Sequence, residues 1–204
     1  MAILRVRICP FERLITWVEP CGSVLDVGCG AGLFLALLAG FQPSLKGVGF
    51  DRSKRAIDAA TQMINHARRL GLPAELRFLH LDVMEPWSCG TFDVVSVIDL
   101  LHHLAAARQQ ALFQKAASFV KPGGILLYKD MSNRPLAAAC MNRLHDLVVA
   151  RQWIRYRDVL QVDQWARDLG LEIEKSETVN RLWYCHELRS YRKPLSSERV
   201  QRDG

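Results

Sequence analysis

Cysteine occurs six times, at positions 9, 21, 29, 89, 140 and 185, and never as a C-x-x-C pair. That absence argues against a zinc site of the usual spacing and against the disulfide framework of a small secreted domain. Reduced thiols, buried or half-buried, are the expectation. Long hydrophobic runs are also missing. The most apolar stretch, Leu33 to Ala39 with its flanks, falls far short of the roughly 20 residues needed to cross a bilayer. The opening residues MAILRVRICPFERL contain no apolar core of signal-peptide length followed by a cleavage site. A cytoplasmic protein without a membrane span is therefore expected. Strong charge of one sign is lacking too: the net charge is +6 over 204 residues, of which 24% are charged. Part of that excess lies in RSYRKPLSSERVQRDG, five basic residues against two acidic, where a solvated, frayed terminus is expected rather than a nucleic-acid or lipid contact. No repeat, low-complexity block or Gly/Ser/Pro-rich linker divides the chain.

What is present is enough apolar material, 50% of residues, for one domain with a real core, and a regular alternation. PFERLITWV reads as a helix with Pro at its first turn. SVLDVG then reads as a strand, GLFLALLAGF as a helix and LKGVGFD as a strand ending in an acid. SKRAIDAATQMINHARRLG has Ser in the N-cap position, apolar residues at helical spacing and a closing Gly. The pattern repeats through AELRFLHLD, TFDVVSVID, the helix RQQALFQKAASFV stopped by KPGG, and the strand ILLYKD. Another helix is expected near VDQWARDLG, and two final strands, LEIEKSET and NRLWYCHELRSY, are close enough to form a hairpin. Strands alternating with helices predict a doubly wound, mostly parallel α/β sheet with an antiparallel edge. Asp26, Asp51, Asp82, Asp99 and Asp130 all fall at or near strand carboxyl ends, where such sheets bind ligands.

The glycines of VLDVGCGAG sit at 28, 30 and 32, a G-x-G-x-G spacing. A dinucleotide fingerprint needs a third glycine at 33, which is Leu, and no G-x-x-x-x-G-K-[ST] phosphate loop occurs. Asp51 has two oxygens for the hydroxyls of a ribose, and Asp82 can accept from an exocyclic amine. Such an acidic rim suits a positively charged cofactor without phosphates better than NAD or ATP.

With those motifs in order, the sequence resembles the class I S-adenosylmethionine-dependent methyltransferases: VLDVGCGAG, GVGFD, LHLDV, FDVVSVIDLLHHL and KPGGILLYKD look like their successive motifs over residues 20 to 130. The resemblance implies a Rossmann-like seven-stranded sheet of order 3-2-1-4-5-7-6 with strand 7 antiparallel. It implies that the loop of Gly28, Cys29, Gly30 and Gly32, with Asp26, holds the methionine end of the cofactor. Asp51 with Arg52 would hold the ribose, Asp82 and Val83 the adenine, and Asp99 and Leu100 would lie near the sulfonium. Cofactor binding is thus expected from S-adenosyl-L-methionine, with no metal.

His102, His103 and Asp130 are the candidate catalytic groups; each also has a plain structural reading, as cofactor packing for a histidine and a turn acceptor for Asp130. A helical lid is expected over about 133–160, where Asn142, His145 and Tyr156 would contact substrate, in a single domain of residues 1–190 followed by a flexible basic tail, 191–204. Tyr184 and His186 alternate with Trp183 and Cys185 and read as packing residues of the last strand. The function expected is methyl transfer to a small molecule such as a hydroxylated aromatic, polyketide or pigment-like compound. The alternatives are an RNA or protein methyltransferase, against which IDLL stands where base-N-methyltransferases carry their Pro-Pro tetrapeptide, and a non-catalytic cofactor-binding protein.

Overall fold

The computed structural model describes residues 8–71, 75–132, 157–181 and 184–195. Along the chain run α1 (Phe11–Trp17), β1 (Ser23–Val27), α2 (Leu33–Phe41), β2 (Lys46–Asp51), α3 (Lys54–Arg69), β3 (Glu75–His80) and β4 (Phe92–Ile98). A 3₁₀ turn (Leu101–His103), α4 (Ala106–Ser118), β5 (Val120–Met131), α5 (Val159–Asp168), β6 (Glu172–Arg181) and β7 (Tyr184–Arg192) follow. The strands form one seven-stranded sheet in the order β3-β2-β1-β4-β5-β7-β6. β1 to β5 are parallel, and β7 runs antiparallel between β5 and β6. This is the expected topology.

Alternation within the strands divides the core in two, because successive side chains leave a strand on opposite faces. Leu25, Val27, Val95, Val97, Leu126, Tyr128 and Tyr191 pack with Phe113 of α4 and Trp165 of α5. Val24, Val94, Ile125, Leu127 and Leu188 pack on the other face with Phe11 and Leu14 of α1, Leu35 and Leu38 of α2, and Ile64 of α3. Ser53 caps α3 as expected, its hydroxyl accepting from the Ala56 N–H at 3.3 Å. Such a cap contributes about 1 kcal/mol.

Two boundaries differ from the sequence expectation. KPGG does not precede β5 but lies inside it: Val120 pairs with Phe92, and the register then jumps to Val94–Ile125. Gly123 accommodates that bulge with φ +77°, and a Cβ on Gly124 would come within 2.6 Å of the Asp93 carbonyl. The ordered strand also runs past 191, where the tail was expected to begin. β7 continues to Arg192, Tyr191 is fully buried, and its hydroxyl donates to Asp163 at 2.7 Å. Arg189 donates to the same buried Asp163 at 3.2 Å, Arg192 to Glu174 at 2.7 Å, and Lys193 to the Val120 carbonyl at 2.7 Å. Three of the five basic residues that had suggested a solvated tail therefore serve the fold. The expected lid falls on residues 133–156, outside those described, apart from its last positions, where Asp158 caps α5 by accepting from Leu160 N–H at 3.0 Å.

Candidate functional site

At the carboxyl ends of β1 to β4 a cleft of about 220 Å³ is lined by Gly28, Asp51, Arg52, Asp82, Val83, Asp99, Leu100, His103 and Leu104. Each of these is delivered by a turn leaving a parallel strand, as open α/β sheets require. Seven of the residues singled out for cofactor binding (Gly28, Asp51, Arg52, Asp82, Val83, Asp99 and Leu100) thus meet in one cavity.

The glycine loop shapes its floor by backbone conformation. Gly28, Gly30 and Gly32 have φ of +72°, +54° and +73°, a region L side chains avoid. A Cβ on Gly28 would lie 2.7 Å from the Leu100 side chain, so this glycine lets the β4 turn close over the loop. Gly32 answers to packing: its Cβ would stand 2.5 Å from the Phe78 ring of β3. Asp51 holds the loop in place, accepting from the Gly30 N–H at 2.9 Å through Oδ2 and from the Ser53 N–H at 2.8 Å through Oδ1. Each oxygen keeps a further lone pair for a ligand hydroxyl.

Asp26, Cys29, Gly30 and Gly32 do not line the cleft. Asp26 is 2% exposed in mid-sheet, and its Oδ1 accepts from the Ser96 hydroxyl of β4 at 2.7 Å. Cys29 is buried, with its thiol directed to the Gly30 carbonyl. On the far side, Asp82 accepts from the Met84 N–H at 2.9 Å, and the Val83 carbonyl accepts from Trp87 and Lys115, each at 3.1 Å. Lys115 also stands over the Trp87 ring at 4.3 Å. These bonds fix the Asp82–Val83 turn, and sequence alone offers no sign of Lys115's part in it.

Beside the cleft the two histidines part ways. His103 lines it, whereas His102 is 3% exposed behind it, with ring centroids 4.0 Å apart. The carboxylate of Asp130 accepts from the His102 main-chain N–H at 3.2 Å, from the Met131 N–H at 2.8 Å and from His102 Nδ1. Because a carboxylate only accepts, Nδ1 carries the proton. Burial works against a charged His102, but the Asp130 charge and hydrogen bond, with Asp99, outweigh it against Lys129 and raise its pKa above the ordinary value.

Asp99 is the described residue outside glycine with positive φ, 52°. The buried Lys129 ammonium donates to its Oδ1 at 2.5 Å. Asp99, His102 and Asp130 bring potential metal-ligand atoms within 4.8 Å of one another, a convergence that sequence spacing does not reveal. Lys129 and His102 already pair both carboxylates, so the donor set is that of an internal ion-pair network. Asn142, His145 and Tyr156 lie outside the described residues.

A profile of the methyltransferase domain family matches residues 9–176. A ubiquinone biosynthesis O-methyltransferase of Xanthomonas axonopodis pv. citri is 27% identical over 180 residues, covering 80% of this chain and 68% of that protein. The namesake from Burkholderia orbicola is 28% identical over 108 residues, and there the match spans 44% of the relative's length. Among solved structures, an O-methyltransferase family protein from Burkholderia thailandensis superposes with TM-score 0.76 at 24% identity, over 92% of this chain and 56% of its own. Magnesium protoporphyrin IX methyltransferase from Synechocystis PCC 6803, solved with bound SAH, gives 0.73 at 18% identity, over 90% and 81%.

Proposed function

Because the chain belongs to the methyltransferase domain family, we propose that it transfers the methyl group of S-adenosylmethionine to a hydroxyl of a small-molecule acceptor, with His103 receiving the acceptor's proton. The observation that carries the reading is the cleft itself: Asp51, Asp82 and Asp99, three acids from three successive strand ends, line it together with apolar Val83, Leu100 and Leu104 and the imidazole of His103. That donor set fits a cationic adenosine cofactor. The relatives named as O-methyltransferases support an oxygen acceptor.

The cofactor supplies an electrophilic methyl group, and the protein's main contribution is positioning, which is worth up to about 7–11 kcal/mol. Asp51 would accept from the ribose hydroxyls through the lone pairs left by Gly30 and Ser53. Asp82 and Val83, on a turn braced by Trp87 and Lys115, would take the adenine. Asp130 holds His102 by its main-chain N–H and by its ring, so His102 orients and supports the neighbouring ring. His103, in the cleft, is placed to take a proton from a hydroxyl, a step worth about 10²–10⁴-fold. His102 and Asp130 thereby act as positioning residues. A lid from 133–160 carrying Asn142, His145 and Tyr156 would define the acceptor's shape.

Against the RNA or protein alternative, three of the five basic residues that had suggested it, Arg189, Arg192 and Lys193, are engaged in packing and ion pairs. Methyl-labelled S-adenosylmethionine, incubated with the protein and an extract of source cells lacking it, tests the reading. Label in the organic-soluble small-molecule fraction, lost with Asp51→Ala, is expected. Label in RNA or protein would overturn it, and cofactor binding without transfer to any fraction would favour a non-catalytic binding protein.

A further inference from the structure

The turn that carries His103 is short. It closes with two main-chain bonds, from His103 N–H to the Leu100 carbonyl at 3.1 Å and from Leu104 N–H to the Leu101 carbonyl at 2.9 Å. Hydrogen-bond geometry in a 3₁₀ turn is poorer than in an α-helix, so a single turn keeps its shape only if its neighbours fix it. On one side Asp130 of β5 does so, accepting from the His102 main-chain N–H. On the other side stands Gln109, in the first turn of α4, which no sequence motif singles out.

Gln109 is fully buried. Its Nε2 donates to the Leu101 carbonyl at 2.9 Å and to the Leu104 carbonyl at 3.2 Å, so one amide spans both ends of the turn. A side-chain amide has a donor end and an acceptor end of nearly the same shape, and a neighbour must decide which of them faces the turn. Arg157 decides it. Its Nε donates to Gln109 Oε1 at 2.8 Å, a bond that a flipped amide could not accept. The rest of the guanidinium is held as well: its other nitrogens donate to Gln161 Oε1 at 2.7 Å and to the Ala106 carbonyl at 3.3 Å, and it lies over the Trp165 ring at 5.4 Å. A rigid planar fork can meet such a set of acceptors at once, as an ammonium cannot. Gln161 and Trp165 belong to α5, and Trp165 packs on Phe113 of α4. The turn at the cleft is thereby tied to the packing of two helices against the core.

We propose that Gln109, oriented by Arg157, is a positioning residue for methyl transfer: it fixes the Leu101–Leu104 turn and so places the His103 imidazole in the cleft. The inference rests on the reading of His103 as the proton acceptor. Gln109 and Arg157 are not among the residues that line the cleft, so they act on the reaction through the turn. A catalytic group misplaced by about 1 Å can lose about 10²-fold, and a general base is worth about 10²–10⁴-fold in all. The effect of loosening the turn therefore lies within the contribution of the base, and it must vanish once the base is gone.

The test measures methyl transfer from labelled S-adenosylmethionine, at saturating cofactor, to the small-molecule fraction of an extract of source cells lacking the protein. Gln109→Met should lower the rate about 10–100-fold and Arg157→Met about 3–10-fold. With His103→Gln already present, each should lower it less than about twofold further. Hydrogen exchange at the His103 and Leu104 amides, which needs no acceptor, should be at least about tenfold faster in both variants than in the unaltered protein. A merely structural role would lower transfer by the same factor with and without His103. That result, or unchanged exchange at both amides, overturns the inference while leaving the function reading intact. If His103→Gln alone leaves transfer unaltered, or the unaltered chain transfers nothing, the reading beneath falls and takes this with it. Should Gln109→Met fail to fold, Arg157→Met, at a half-buried position, decides.

Discussion

Acidification should destabilise this protein through His186. Burial, and next the Lys129 cation beside it, push its pKa from the ordinary 6.5 down to about 4; Asp99, the nearby Ile8 carbonyl and Asp130 oppose that shift without reversing it. A histidine with a depressed folded-state value binds its proton more readily when unfolded. Its contribution is therefore present above pH 6.5 and is lost as pH falls toward 4. At pH 5 the unfolded state is favoured about 30-fold relative to a position without this linkage, or about 2 kcal/mol; at pH 7 the effect is only a few tenths. Urea denaturation followed by tryptophan fluorescence, at pH 7 and pH 5, measures it in the unaltered protein and in His186→Leu. The unaltered protein should lose about 2 kcal/mol more than the variant between the two pH values, with unchanged slopes. His102, whose value is raised, contributes in the opposite sense: its stabilisation is full below 6.5 and fades as pH rises through its folded value. That contribution is common to both proteins and cancels. Equal losses in the two would refute the assignment of His186 as a buried neutral group.

Other perturbations follow from the same contacts. His103→Gln should lower kcat about 10²–10⁴-fold with a hydroxyl acceptor while leaving the cofactor affinity from calorimetry unchanged. Asp163→Ala should cost about 3–5 kcal/mol in chemical denaturation, because it strands the buried Arg189 and the Tyr191 hydroxyl; a loss below about 1 kcal/mol would contradict that network. Gly32→Ala should destabilise by at least about 1 kcal/mol, through its positive φ and the contact with Phe78. Combining it with Phe78→Ala should cost less than the two single changes together, since the clash is then absent.

Strand and helix identity was readable in advance because it is local. Burial on both faces of β1, β4 and β5 demands continuous apolar runs, and α3 displays both its Ser53 cap and its helical apolar spacing. Asp51 and Asp82 were legible for a related reason: an acid just past an apolar strand stands at the end of the sheet where ligands bind. KPGG misled because a strand bulge and a helix stop use the same residues, and only pairing with β4 distinguishes them. Tyr191 and Arg189 misled in the opposite way. Their partner Asp163 lies on α5, more than 25 residues earlier in the chain, and no local pattern marks such a pair.

Sequence by itself determined the alternation that winds this sheet, the glycine loop's exclusion of dinucleotide and phosphate chemistry, and the acidic rim that wants a cation. Those follow from periodicity, steric freedom and charge, which travel with the residues themselves. Tertiary structure alone decided that Asp26 accepts from Ser96 in mid-sheet, and that of two adjacent histidines it is His103 that lines the cavity while His102 is buried behind it. It alone decided that Lys129 neutralises Asp99. Each of these is a pairing across strands far apart in the chain, and the energy of a buried charge depends on which group meets it there.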